Sequence, residues 1–136
     1  MLVVDASVAV KWFIIELGRP EARRLLDGGE RLIAPELIVA EVVNVVWKRL
    51  MTNAIDHSQA ADVPRGLPQL FAELCPLANL AERALAIAEN LRHPAYDCFY
   101  IALAEARDVK VVTADRRMVT KLAGSPWQDR CLTLWN

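Results

Sequence analysis

Short unbroken apolar runs alternate along this chain with stretches whose apolar residues recur every three or four positions, the signatures of buried strands and amphipathic helices. Leu2 to Val4 is such a run, and after Asp5-Ala6-Ser7 a helical pattern passes through Val8, Trp12 and Phe13. Pro20 to Leu26 predicts a helix with proline at its first position, stopped by Gly28-Gly29. Arg31 to Ala34 predicts a second strand, and Pro35 starts a long helix to about Leu50. Asp56 with Gln59 three residues on marks a capped helix start, which Pro64, Gly66 and Pro68 are expected to interrupt. A short strand is expected around Leu74 to Leu77. Asn79 with Glu82 then opens an alanine-rich helix to about Asn90, and Pro94 another to about Arg107. Val109 to Thr113 reads as a buried strand, Arg116 to Ala123 as a helix closed by Gly124, and Cys131 to Leu134 as a last edge strand. Strands alternating with helices predict an α/β fold: a parallel sheet covered on both faces.

The chain has 136 residues, enough for one domain with a real core, and no linker or internal repeat divides it, so residues 1–136 are expected to form a single domain. Its hydrophobic fraction of 54% raises the question of membrane spans. The longest apolar stretch, Leu37 to Trp47, is broken by Glu41 and Asn44 and falls short of the roughly 20 residues a span needs. The start, Met1 to Asp5, lacks the basic flank of a secretory signal. These features predict a soluble, cytoplasmic protein. Cys75, Cys98 and Cys131 are widely spaced and read as buried small apolar residues. His57 and His93 do not pair with another nitrogen or sulfur ligand at helical spacing, so a metal site here must be built from oxygen, which selects magnesium or manganese over zinc. A net charge of −1 carries no global signature of a nucleic-acid binder, and RNA binding would need a local patch.

The chemistry therefore rests on carboxylates that break the apolar pattern. Asp5 follows the first strand and Asp115 the Val109 to Thr113 strand, the end of an open α/β sheet where ligands bind when strand order reverses. Each is equally a residue type that caps helices. Glu41 shares a face of the long helix with Leu37, Ile38 and Val45, and Asn44 extends the polar interruption. A salt bridge would also account for Glu41. Asp97 stands in the first turn of a helix, where the dipole favours it, yet the following Cys98 to Leu103 is so apolar that Asp97 is expected at a cleft. If the four converge, they repel one another unless cations sit among them, and divalent ions clamping attacking and leaving oxygens are a standard use of such clusters in phosphodiester hydrolysis.

The stretches Leu2-Val3-Val4-Asp5-Ala6-Ser7, Pro35 to Asn44 around Glu41, Tyr96-Asp97-Cys98-Phe99-Tyr100-Ile101-Ala102-Leu103-Ala104 and Val111-Val112-Thr113-Ala114-Asp115 resemble the successive motifs of PIN domains, most closely those of VapC-type toxins. The resemblance spans nearly the whole chain, in order. It implies a three-layer α/β/α fold on a parallel sheet of about five strands, Mg²⁺ or Mn²⁺ as cofactor, RNA as substrate, a homodimer, and a small cognate antitoxin as partner. By position it makes Asp5, Glu41, Asp97 and Asp115 the acidic quartet, catalytic and metal-holding, with Ser7 and Thr113 as hydroxyl residues beside it.

On this reading Asp5, Asp97 and Asp115 coordinate metal directly or through water, and Glu41 holds a second ion or orients the attacking water. Ser7 is expected as a helix N-cap that also supports the site, since no histidine accompanies it as base. Asn44 and Thr113 support the carboxylates. Arg116 and Arg117 follow Asp115 and could hold RNA phosphates or be solvated helix charges. A phosphoryl-accepting receiver domain would need a paired acid near the first strand, and a haloacid-dehalogenase-like hydrolase an Asp where Ser7 stands. The rival that remains is a PIN-fold protein that binds RNA or a partner without cutting.

Overall fold

The computed structural model describes residues 1–135. Its strands are β1 (Leu2–Val4), β2 (Leu32–Pro35), β3 (Glu73–Cys75), β4 (Lys110–Thr113) and β5 (Cys131–Thr133), all in one sheet of order β3-β2-β1-β4-β5 with every pairing parallel. The helices are α1 (Ala6–Ala9, continued by a 3-10 turn Val10–Trp12), α2 (Arg19–Asp27), α3 (Leu37–Met51), α4 (His57–Gly66), α5 (Ala81–Leu91), α6 (Ala95–Arg107) and α7 (Arg116–Leu122). From β1 the chain steps outward to β3 and then returns across β1 to β4. Right-handed crossovers in the two directions put α1 to α4 on one face and α5 and α6 on the other, the expected three layers.

The inner strands are apolar because parallel strands covered on both faces have no solvated side. Val3, Val4, Ile33 and Ala34 have no exposure, and Val111 only 1%. Helix α6 is the central buried element, packing on β1, β2, β4 and α5, with Cys98 and Tyr100 through Ala104 all buried. Cys75 and Cys98 are buried and Cys131 half-buried, and burial pushes the Cys98 and Cys131 thiols up to about 11, as befits packing residues.

Three local expectations need correcting. Pro35 ends β2, pairing with Cys75, and α3 begins two residues later; at a strand terminus proline's missing N–H costs little. Helix α4 runs through Pro64 to Gly66: its capping box forms, with Asp56 accepting from the Gln59 N–H at 2.8 Å and Gln59 accepting from the Asp56 N–H at 2.9 Å, and buried Val63 and Leu67 anchor the far end. The Asn79–Glu82 capping box does not form, because Asn79 closes a 3-10 turn and α5 starts at Ala81 after Leu80. Leu80 is buried, so apolar docking rather than a side-chain cap fixes this helix start. Among the described residues no helix is long and apolar enough to cross a membrane.

Candidate active site

The strand order reverses between β1 and β4, and the crevice above their carboxyl ends is where four elements deliver acids. The Asp5 N–H donates to the Val112 carbonyl at 3.1 Å, which places its side chain beside the end of β4. Asp115 leaves β4 two residues later, Glu41 comes from the second turn of α3 and Asp97 from the first turn of α6. All four line one pocket of about 400 Å³, together with Ala6, Ser7, Val10, Asn44, Val45 and Arg117. A larger hollow of about 630 Å³ at the α3–α4 turn has no comparable convergence, since its Asp56 and Gln59 are engaged with each other in the helix cap.

Each acid is held by one oxygen. Asp5 Oδ2 accepts from Ser7 Oγ at 2.6 Å and from Thr113 Oγ1 at 2.8 Å. Glu41 Oε1 accepts from the Tyr100 hydroxyl at 2.6 Å. Asp97 Oδ2 lies 2.5 Å from His93 Nε2, and Asp115 Oδ1 accepts from the Arg117 N–H at 2.9 Å. Among the described residues the second oxygen of each has no side-chain hydrogen-bond donor. The hydroxyls are fixed in turn: Ser7 Oγ accepts from the Ala114 N–H and Thr113 Oγ1 from the Asp115 N–H, both at 3.0 Å. Ser7 is therefore not the expected N-cap. It is the second residue of α1, and Asp5, with extended backbone, occupies the cap position without a side-chain cap bond. Asp115 does cap α7, so capping and pocket lining coexist there.

Electrostatics mark the crevice as a place of unpaid repulsion. Burial raises the Asp5 carboxyl above its ordinary value; the Ser7 and Thr113 hydroxyls oppose this and the charge of Asp97 adds to it. Burial likewise raises Glu41, against the Tyr100 hydrogen bond and with the charges of Asp5 and Asp97. Tyr100, with no exposure, is pushed well above a normal phenol, first by burial and then by the Asp5 and Glu41 charges, so it stays a neutral donor.

The donor set suits a hard divalent cation, because the pocket presents carboxylate oxygens and no thiolate. Among the described residues no three Asp, Glu, His or Cys side chains are already gathered into a cage.

Two residues at the site were not foreseen. Tyr100 lies three positions after Asp97 on the same face of α6, a spacing that carries the signal, whereas His93 lies four before it, ahead of the helix start at Ala95. The two arginines divide: Arg117 lines the acidic pocket, whereas Arg116 turns to Trp135, its Cζ 5.3 Å from the ring centroid. Asn44 reaches the pocket as expected, and buried Thr113 supports it from below.

An all-parallel sheet with acids from four elements at its switch point is the architecture of a PIN domain, and the chain belongs to the PIN-domain family, whose profile matches residues 2–123. Within that family it is a relative of the VapC ribonucleases. It is 39% identical over 121 residues to Ribonuclease VapC9 of Mycobacterium tuberculosis, covering 87% of this chain and 88% of that one. It is 30% identical over 122 residues to Ribonuclease VapC3 of Pyrobaculum aerophilum, covering 88% and 93%. The fold is shared with a toxin-antitoxin complex from Klebsiella pneumoniae at a TM-score of 0.73 and 18% identity, over 100% of this chain and 99% of that one.

Proposed function

We propose that this protein is a Mg²⁺- or Mn²⁺-dependent endoribonuclease that hydrolyses RNA phosphodiester bonds, acting in the cytoplasm as the toxin of a toxin–antitoxin pair. The observation that carries the reading is the convergence of Asp5, Glu41, Asp97 and Asp115, each fixed through one oxygen, in a chain whose relatives are VapC ribonucleases. The toxin role is supported by the structural neighbour from Klebsiella pneumoniae, which is a toxin-antitoxin complex. A homodimer and a small antitoxin that reaches the acidic crevice, an arginine pairing with the carboxylates, belong to the same proposal.

Asp5, Asp97 and Asp115 would hold the ion, directly or through water, with Glu41 holding a second ion or orienting the attacking water. When bound, the ion supplies Lewis acidity that neutralises charge developing on the phosphate and makes a water nucleophilic near neutral pH. The protein's part is positional. Ser7 and Thr113 keep Asp5 pointed at the pocket and oppose the upward pull of burial on its carboxyl, and Tyr100 does the same for Glu41. His93 fixes the Asp97 carboxylate, and Val10 and Val45 form apolar wall that lowers the local dielectric. Asn44 offers a neutral amide to water or substrate, and Arg117 offers a cation to a phosphate at the rim.

The test is incubation of pure protein with a panel of structured and single-stranded RNAs in Mg²⁺, Mn²⁺ or excess EDTA, beside Asp5→Asn and Asp97→Asn. Cleavage should require the ion and collapse in both variants. Cleavage that persists in EDTA would refute the metal mechanism. Expression without the antitoxin should arrest bacterial growth, and normal growth with confirmed soluble protein would count against the toxin role.

A further inference from the structure

The acidic pocket continues beyond Asp115 into a second groove of about 350 Å³, lined by Leu17, Ala114, Asp115, Arg116, Arg117 and Trp135. Asp115 and Arg117 line both spaces, so a strand whose phosphate lay among the acids would have a neighbouring nucleotide here. The groove is within the size range of small-ligand sites.

Its aromatic wall is built into the fold. Trp135 follows β5 at the same end of the sheet as the acids, and its indole N–H donates to the Ala114 carbonyl at 2.8 Å. The ring packs so closely on Gly18 that a Cβ there would come within 2.6 Å of it, and Lys11 Nζ lies 5.4 Å from the ring centroid. Trp135 is nevertheless only half-buried, and lines the groove. Leu17, 81% exposed, lines the same groove. One exposed leucine is ordinary, but this one sits on a tethered loop. Lys11 Nζ donates to the Leu17 carbonyl at 2.8 Å and to Glu16 Oε1 at 2.9 Å, and Arg49 Nη2 donates to Glu16 Oε2 at 2.7 Å. The loop is thus clamped while its apolar side chain faces outward.

We propose that this groove is a nucleotide subsite: the base next to the scissile phosphate packs between Trp135 and Leu17, Arg116 adds its guanidinium to the stack, and Arg117 meets the intervening phosphate. The proposal rests on the ribonuclease reading for the direction of the strand. Its occupant follows from the chemistry of the lining: a half-buried indole, a planar cation beside it, and the Arg117 guanidinium, 93% exposed although 3.5 Å from Asp115 Oδ1, are groups that bind single-stranded nucleic acid. Arg116, Arg117 and Lys121 also line an adjoining surface hollow, which extends the positive track away from the acids. The groove therefore sets sequence preference at one nucleotide and contributes to substrate affinity more than to the bond-breaking step.

The test uses Trp135→Leu, Trp135→Phe, Leu17→Ser and Arg116→Gln. Leu17 and Arg116 are exposed, so their variants should fold whatever becomes of Trp135. Binding of a fluorescein-labelled single-stranded RNA is followed by anisotropy in EDTA at low salt, where no cutting is expected, and cleavage maps and kinetics are taken in Mg²⁺ or Mn²⁺. Trp135→Leu should weaken binding on the order of 10-fold. Leu17→Ser and Arg116→Gln should weaken it by smaller factors, and Trp135→Phe should recover part of the loss. KM should rise with kcat little changed, and base preference beside the cut should relax. Unaltered RNA binding and an unaltered cleavage map in folded Leu17→Ser and Arg116→Gln overturn the subsite. So does a change confined to oligomeric mass, which would assign the groove to a protein partner. If the variants weaken RNA binding but no divalent ion lets the wild type cut, the subsite stands and the ribonuclease reading falls.

Discussion

Replacing Thr113 by valine removes one oxygen and almost no volume, yet two groups lose a partner. Thr113 has no exposure; its Oγ1 donates to Asp5 Oδ2 at 2.8 Å and accepts from the Asp115 N–H at 3.0 Å. A hydrogen bond to a charged group contributes about 1.5–3 kcal/mol and a stranded polar group costs about 1–3 kcal/mol, the lower end applying to Asp115 because water can approach it. The added methyl returns about 0.8 kcal/mol. With Asp5 ionised, the net loss in metal-free protein is about 2–3 kcal/mol, equivalent to roughly 7–10 °C in Tm for a chain of this length. Thr113→Ser keeps the hydroxyl and should lose only about 1 kcal/mol. The gap between the two variants should depend on pH. Asp5 is raised above its ordinary 3.8, and the Thr113 bond lowers it, so the bond favours the carboxylate over the acid. The valine penalty is therefore full above the folded Asp5 pKa and shrinks as pH falls through it, leaving the share due to Asp115. Thermal melts of both variants in EDTA from pH 7 down to about 4 measure this. Equal melting of valine and serine variants, or a gap that does not narrow with acid, refutes the assigned network. In the cleavage assay the valine variant should lose roughly 10- to 100-fold.

Tyr100→Phe keeps the buried ring and removes the donor to Glu41, so stability should change little while activity falls about 10-fold or more; wild-type rates in a folded Phe variant would show the Tyr100–Glu41 bond to be incidental. Glu41→Gln keeps an acceptor for Tyr100 and deletes one of the repelling charges, and should raise Tm in EDTA. Because Glu41 is raised above 4.5, this advantage should appear as pH rises through its folded pKa and vanish below it. Mg²⁺ at a hundred times its dissociation constant should add about 2.7 kcal/mol to the wild type and less to Glu41→Gln. An identical metal response in both would remove Glu41 from the ion's environment.

The layered parallel fold was legible because apolar runs and helical stripes of the right length alternate along the chain, and all five strands overlap the runs that predicted them, although β2 takes in Pro35 and β3 ends at Cys75 rather than Leu77. What failed were helix boundaries governed by distant packing: burial of Val63 and Leu67 carries α4 through Pro64, and burial of Leu80 displaces the Asn79 cap. Local rules weigh a few tenths to about 1 kcal/mol per residue, less than burial of one large apolar side chain at about 1.5–3 kcal/mol.

The site divides in the same way. Asp5 and Asp115 could be placed from sequence because each is tied to a strand end, and parallel strands deliver their carboxyl ends to one edge. Glu41 and Asp97 stood out as charges on faces otherwise apolar. Sequence alone thus singled out the four acids and the elements on which they ride. Only the tertiary structure decided their company: Tyr100 against Glu41 across 59 positions, Thr113 against Asp5 across 108, Trp135 against Ala114 and Gly18. A hydrogen bond is set by a few tenths of an ångström between elements far apart in the chain, and periodicity fixes the face a side chain points from, not what meets it there.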